Sequence, residues 1–317
     1  MTPTRTGADA TTPKSTTLKS KGKDKTMIRI ESNIAPEEEI LTPTAFPDGT
    51  NLLKFDPQRE EYTITWLYDN DAELFQLIAL TKHLKNKGCK VWLNLPYVPN
   101  ARMDRVKNND EVFTLKAFAE TINWLGFEEV RISNPHSTVS EALFDRVVVD
   151  FECVYRDVKH ILETSLNKID VLYFPDEGAM KRYSDLLKDS NLPVAFGIKK
   201  RDWKTGTIEG IEIEGFTRLL GKNVLMVDDI CSRGGTFYYS ALRLKELGAN
   251  EISCYVTHCE NSVMDKEKGK LIGKKWYSHD GKTSENMIKT IYTTNSIFRG
   301  TNGMGLANHQ IKIIREF

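Results

Sequence analysis

The run Val227-Asp228-Asp229-Ile230-Cys231-Ser232-Arg233-Gly234-Gly235-Thr236 combines the residue types that a phosphorylated ribose requires. Gly234 and Gly235 let backbone N–H groups approach an anion. The hydroxyls of Ser232 and Thr236 can donate to phosphate, and a helix starting here turns its positive end to the same place. Arg233 either adds a charge-assisted contact or points to solvent. Asp228 and Asp229, one loop-length away, can accept hydrogen bonds from two adjacent sugar hydroxyls. Phosphate then lies at one end and ribose at the other. The plainer alternative is a polar turn whose Asp and Thr cap a helix.

Other polar loops offer complementary chemistry. Arg102 and Arg105, three apart just past the apolar Trp92-Leu93-Asn94-Leu95, can present two planar donor forks to a polyphosphate, or form a surface salt-bridge cluster. His136 follows Val130-Arg131-Ile132-Ser133, and a histidine on a loop is otherwise an ordinary surface residue. Lys199-Lys200-Arg201 opens a polar stretch that is either part of a site or a solvated basic loop.

These loops need elements to hold them. Apolar or β-branched runs at Tyr62–Leu67, Lys90–Leu95, Glu129–Ser133, Asp170–Phe174, Val194–Gly197, Asn223–Val227 and Glu251–Thr257 predict strands, and Ile28-Arg29-Ile30 is strand-like. Helical spacing predicts helices over Ala72–Lys87, Thr114–Leu125, Gly178–Leu187 and Gly235–Leu247. Such alternation implies an α/β protein with mostly parallel sheets flanked by helices, which binds ligands at the carboxyl ends of its strands.

A chain of 317 residues with 40% hydrophobic content can fill two cores. The pattern divides into residues 27–154 and 155–317, behind a polar stretch, residues 1–26, too poor in apolar residues to order itself. Basic and acidic residues both number 44, so no overall field points to nucleic acid, and a small-molecule partner is expected. No apolar run is long enough for a membrane span, and five scattered cysteines without CxxC spacing fit reduced thiols in a cytoplasmic protein.

The ten-residue run resembles the phosphoribosyl pyrophosphate (PRPP) loop of the type I phosphoribosyltransferase fold, and other segments extend the resemblance to the ribose-phosphate pyrophosphokinases, or PRPP synthetases. Phe46-Pro47-Asp48-Gly49 resembles their FxDG segment, Asn70-Asp71 their NDNLMEL stretch, and Pro96 to Arg105 their PYxxYARQDR segment. Tyr173 to Arg182 resembles SPDxGGxKR, and Tyr255-Val256-Thr257-His258 resembles YVTHG, all in the family's order. The resemblance covers about Ile28 to Ile297. It implies two tandem phosphoribosyltransferase-like domains and transfer of the diphosphoryl group of ATP to ribose 5-phosphate, giving PRPP and AMP for nucleotide or NAD synthesis.

Residue by residue, it implies that Phe46, Asp48, Arg102, Arg105 and His136 bind ATP, with Phe46 and Asp48 reaching a neighbouring subunit of a homo-oligomer. Asp228, Asp229, Ser232, Arg233, Gly234, Gly235 and Thr236 hold ribose 5-phosphate. His136 and Asp176 hold Mg²⁺, and Lys199 and Arg201, or Lys200 and Arg201 in a register one residue on, act in catalysis. Departures gather at the nucleotide end. Met103 replaces a glutamine, Thr50 a glutamate, and Asn134-Pro135-His136 stands for Asp-Leu-His, so a carboxylate is lost. Cys259 to Val263 departs from Gly-x-Phe-Ser-Gly. Two other readings remain at this stage: a phosphoribosyltransferase that consumes PRPP, and a non-catalytic regulatory relative.

Overall fold

The computed structural model describes residues 27–34, 38–201, 208–277, 281–300 and 310–317, and the expected tail at residues 1–26 lies outside them. In chain order the first elements are β1 (Ile28–Ser32), β2 (Glu38–Ile40), β3 (Thr44–Ala45), β4 (Asn51–Leu52) and β5 (Glu61–Trp66). Then come α1 (Ala72–Asn86), β6 (Lys90–Leu95), α2 (Thr114–Leu125), β7 (Val130–Ser133), α3 (Thr138–Leu143) and β8 (Val147–Asp150). The second half holds α4 (Glu152–Thr164), β9 (Val171–Phe174), α5 (Glu177–Leu187), β10 (Val194–Arg201), β11 (Ile208–Glu214) and β12 (Val224–Cys231). It ends with α6 (Gly235–Glu246), β13 (Ile252–Cys259), β14 (Lys275–Tyr277), β15 (Ser284–Asn286), β16 (Ile291–Thr294) and β17 (Ile311–Arg315).

One sheet runs β2-β1-β5-β6-β7-β8, parallel from β5 to β8 and antiparallel around β1. The other runs β11-β10-β9-β12-β13-β16-β17, with only the β10–β11 pairing antiparallel. This is the expected α/β class, with mostly parallel sheets flanked by helices.

Strand β12 is apolar through Val227 because β9 and β13 flank it and both of its faces are covered, as a central parallel strand requires. Helix α6 buries Phe237, Ser240, Ala241 and Leu244, the i, i+3, i+4, i+7 stripe that faces a sheet. Helix α2 buries Leu115, Phe118, Ala119, Ile122 and Leu125 by the same spacing, and Gly126 ends it in the left-handed region.

Several elements differ from the sequence expectation. Strand β10 continues past Gly197 to Arg201 because β11 pairs with it, with a bulge between Lys200 and Arg201. The expected division after Val154 falls inside α4, whose Cys153, Val154, Val158 and Ile161 pack with Leu172, Phe174 and Leu225 of the second sheet. The two halves are tied by Arg299, whose Nη2 donates to the Leu67 and Tyr68 carbonyls at 2.7 and 2.8 Å, and by Arg29, which donates to the Phe317 carbonyl at 2.8 Å.

Candidate active site

Strand β12 runs on past the expected Val227 to Cys231, so Asp228 and Asp229 lie within it, and the main chain then turns through Ser232–Gly234 into α6. Gly234 caps the helix at φ +81°, and a Cβ there would lie 2.3 Å from Leu271 Cγ, so only glycine fits. A Cβ on Gly235 would meet nothing within 4 Å, which leaves its backbone open to a ligand. No side chain caps α6 and its first turn carries no acidic residue, so its unpaired N–H groups keep their attraction for an anion.

This loop forms one wall of a cavity of about 750 Å³. Asp228, Asp229, Ser232, Arg233, Gly234, Gly235 and Thr236 all line it. Arg102, Arg105 and His136 enter from the first half, and Asp176 enters from the turn after β9. The residues proposed from the sequence for ribose 5-phosphate therefore meet Arg102, Arg105, His136 and Asp176 in one space, at the strand ends where open parallel sheets bind ligands.

Two buried carboxylates dominate its electrostatics. Asp228 is pushed well above the usual carboxylate range by burial and by the Asp229 charge beside it. Burial pushes Asp229 upward too, but the hydrogen bond to His136 and that ring's charge outweigh it and hold the carboxyl below its ordinary value. The His136 Nδ1–Asp229 Oδ2 distance is 2.6 Å. That bond raises the His136 pKa above its ordinary 6.5 against the opposing effect of burial. Arg182 adds positive charge 4.0 Å from Asp229 and anchors the histidine loop by donating to the Pro135 carbonyl at 2.7 Å.

The linkage has a definite sign. The stability supplied by His136 is complete below its unfolded value near 6.5 and is lost as pH rises through the raised folded value. The part supplied by Asp229 is present above about 3.8 and is lost as pH falls through the lowered folded value. In NMR titrations of labelled histidine, the resonance assigned by its loss in His136→Gln should titrate above 6.5, and should fall toward 6.5 in Asp229→Asn. An unshifted His136 in the wild-type protein contradicts the ion pair.

Asn134 is more than a missing carboxylate. It is fully buried, and its Nδ2 donates to Thr257 Oγ1 at 2.8 Å while its Oδ1 accepts from Tyr183 at 2.9 Å. An aspartate could accept but not donate here. His258, held neutral by burial with its pKa near 4, donates from Nε2 to the Ser133 carbonyl at 3.0 Å. The residue before the Pro135–His136 turn, in the first half, is thus fixed by side chains of the second.

Phe46 and Asp48 occupy the tip of the β3–β4 hairpin and are not among the residues lining the cavity. Asp48 accepts from the Thr50 amide at 2.9 Å and its hydroxyl at 2.7 Å, so Thr50 shapes this turn. Met103 faces a neighbouring cavity of about 320 Å³ shared with Arg102 and Arg105. Lys199 and Arg201 lie in the β10–β11 hairpin, paired with Ile211 and Ile208, and their side chains lie outside the described part. Arg182, Asp104 and Tyr239 also line the main cavity and carried no assigned role from sequence. Arg182 stood inside the Tyr173–Arg182 segment, but its use depends on a contact 47 residues away in the chain.

Asp176 caps α5, accepting from the Ala179 amide at 3.0 Å. No group of three His, Cys, Asp or Glu side chains among the described residues could hold a metal on its own. Mg²⁺ keeps waters and takes a carboxylate or two together with phosphate oxygens, so Asp176 on the cavity wall is the side chain that would serve it alongside a bound phosphate. Ring nitrogen Nδ1 of His136 is engaged by Asp229, so Nε2 is the nitrogen left for a ligand: it donates to a phosphate oxygen while the ring is charged and could bind a metal only once the ring is neutral.

No helix among the described residues is long and apolar enough to cross a membrane. All five cysteines are free and buried.

A family model described as "Phosphoribosyl transferase domain" matches residues 152–289. A ribose-phosphate pyrophosphokinase of Saccharolobus solfataricus is 26% identical over 277 residues, covering 86% of this chain and 85% of the relative. That of Thermococcus kodakarensis is 29% identical over 217 residues, covering 67% and 75%. Among solved structures, phosphoribosylpyrophosphate synthetase from Mycobacterium smegmatis superimposes with a TM-score of 0.64 at 19% identity, over 86% of this chain and 85% of that one.

Proposed function

We propose that this chain, a relative of the ribose-phosphate pyrophosphokinases, transfers the diphosphoryl group of ATP to ribose 5-phosphate, yielding PRPP and AMP. One observation carries the reading: a phosphate-and-sugar loop from the second half and a set of cationic side chains from the first line the same cavity. A sugar phosphate alone does not require Arg102 and Arg105 opposite its loop.

In this reading residues 27–154 form the nucleotide side and residues 155–317 the sugar side. The N–H groups of Ser232–Thr236 and the hydroxyl of Thr236 take the 5-phosphate, with Arg233 at its rim. Asp228 and Asp229 receive the ring hydroxyls. Of the two, Asp228 is the more readily protonated, raised by burial and by its neighbour's charge, whereas the bond to His136 favours the ionised form of Asp229. Arg102, Arg105 and His136 hold the triphosphate. The 1-hydroxyl oxygen forms a bond to the β-phosphorus, its proton leaves, and the bond from that phosphorus to the α,β-bridging oxygen breaks to release AMP. Such chemistry depends on in-line positioning and on neutralising charge spread over phosphorus oxygens. Mg²⁺ bound by Asp176, His136 and the phosphates would supply part of that neutralisation. Lys199 and Arg201 are assigned the rest. Phe46 and Asp48, on a hairpin away from the cavity, are assigned to the nucleotide site of a second copy in a cytoplasmic homo-oligomer.

The test is direct. Purified protein given ribose 5-phosphate, Mg²⁺ and ATP is expected to form AMP and PRPP in equal amounts. Consumption of PRPP with a base and no need for ATP makes it a phosphoribosyltransferase. Absence of AMP with any divalent metal or nucleotide leaves a binding relative.

A further inference from the structure

Arg102 does not wait in the cavity as a free cation. Its Nη2 forms an ion pair with Glu260 Oε1, across the boundary between the halves. Glu260 lies directly after β13, in the Cys259–Val263 segment where this chain departs from its relatives, and its backbone N–H donates to the Cys231 carbonyl at 2.8 Å. The other carboxylate oxygen is held too. Ser262 Oγ donates to Glu260 Oε2 at 2.9 Å and lies 3.2 Å from Ser232 Oγ. A hydroxyl has one hydrogen, and that of Ser262 is given to Glu260, so Ser232 donates to Ser262. A continuous chain therefore runs from Ser232 in the phosphate loop through Ser262 and Glu260 to Arg102.

We propose that Glu260 is a built-in counter-ion that occupies Arg102 until a polyphosphate displaces it, and so sets the affinity of the site for that ligand. The assignment rests on Arg102 as a polyphosphate contact, as described above. The geometry supports exchange over a permanent bridge. Arg102 keeps about half its side chain exposed, whereas that of Glu260 is 21% exposed and fixed by Ser262 and by the backbone bond at Cys231. The partner with room to swing away is the cation, and a carboxylate held in place is what a departing ligand leaves behind to reclaim it. Arg105 shows a local version, with both Nε and Nη2 on Asp104 at 2.9 and 3.0 Å, but that partner is its chain neighbour and spans no boundary. Exposed ion pairs contribute little to stability, so losing this one costs the fold little, whereas a ligand must displace it each time it binds. Glu260 acts through Arg102 and is a positioning residue.

Calorimetry with inorganic tripolyphosphate reads anion affinity without turnover, so it separates this inference from the proposed reaction. Glu260→Gln is expected to bind the probe roughly two- to fivefold more tightly than wild type, the scale of an exposed pair's coupling, with the gain shrinking as salt rises. A merely structural role would weaken binding instead. Ser262→Ala, which keeps both charges but frees the carboxylate, is expected to move affinity the same way by less. In an Arg102→Gln background the Glu260→Gln gain should vanish. Unchanged or weaker binding in both Glu260→Gln and Ser262→Ala overturns the proposal, as does a gain that persists without Arg102. If no AMP forms in the assay above yet Glu260→Gln still tightens the probe, the inference stands and the reaction falls.

Discussion

Alanine at Lys199 or at Arg201 is expected to lower turnover by a factor on the order of 10² to 10³, while affinity for ribose 5-phosphate stays near wild type. The magnitude is that of removing one preorganised donor from charge developing in a transition state. The selectivity follows from placement. The residues assigned to the sugar lie on β12, on the turn after it and at the start of α6, whereas Lys199 and Arg201 lie in the separate β10–β11 hairpin. A group that engages only as bonds change lowers the rate without altering ground-state binding. Lys200→Ala belongs in the same series. The bulge between Lys200 and Arg201 interrupts the regular pairing, and a drop at Lys200 in place of Lys199 moves the catalytic pair one residue along. Unchanged turnover in all three variants removes the catalytic assignment from this hairpin.

Legibility from sequence tracks how local each cause is. Strand β12 and helix α6 could be read from their residues because a buried parallel strand is a continuous apolar run and a half-buried helix shows its stripe. Helix α4 went unread although Cys153, Val154, Val158 and Ile161 form such a stripe, since no turn signal separates it from β8, which ends at Asp150 just before it. Strands β16 and β17 are short, and pairing with β13 and with each other defines them more than composition does.

The site divides along the same line. The loop after β12 declares its chemistry within ten residues, whereas the pairings of His136 with Asp229, Asn134 with Thr257, and Arg102 with Glu260 span 93, 123 and 158 residues. Only the fold brings them together. Asn134 illustrates the consequence. Set against the Asp-Leu-His pattern that it resembles, it reads as a lost carboxylate at the nucleotide end, but its amide supplies a donor and an acceptor that a buried joint between the halves requires.

Gly234→Ala, lastly, is expected to destabilise the protein by about 2 to 5 kcal/mol and to weaken ribose 5-phosphate binding by more than tenfold. Two separate costs add. Holding an L-residue in the left-handed region costs roughly 1 to 2 kcal/mol, and forcing a methyl into a packed core typically costs about 1 to 3 more. Both apply here, since φ is +81° and the new Cβ would lie 2.3 Å from Leu271 Cγ and 2.6 Å from its Cδ1. Leu271 has no accessible surface and belongs to the core under the second sheet, so it cannot swing into solvent. The loop must then move, and with it the amides that open α6 beside Gly235 and Thr236. Pairing Gly234→Ala with Leu271→Ala separates the terms. Relative to Leu271→Ala alone, adding Gly234→Ala should cost only the backbone part, so the two changes are non-additive in denaturant unfolding. Ribose 5-phosphate affinity should recover in part as the clash is relieved. Strict additivity would mean that Leu271 does not constrain the loop, and unchanged affinity in Gly234→Ala itself would take the phosphate away from this turn.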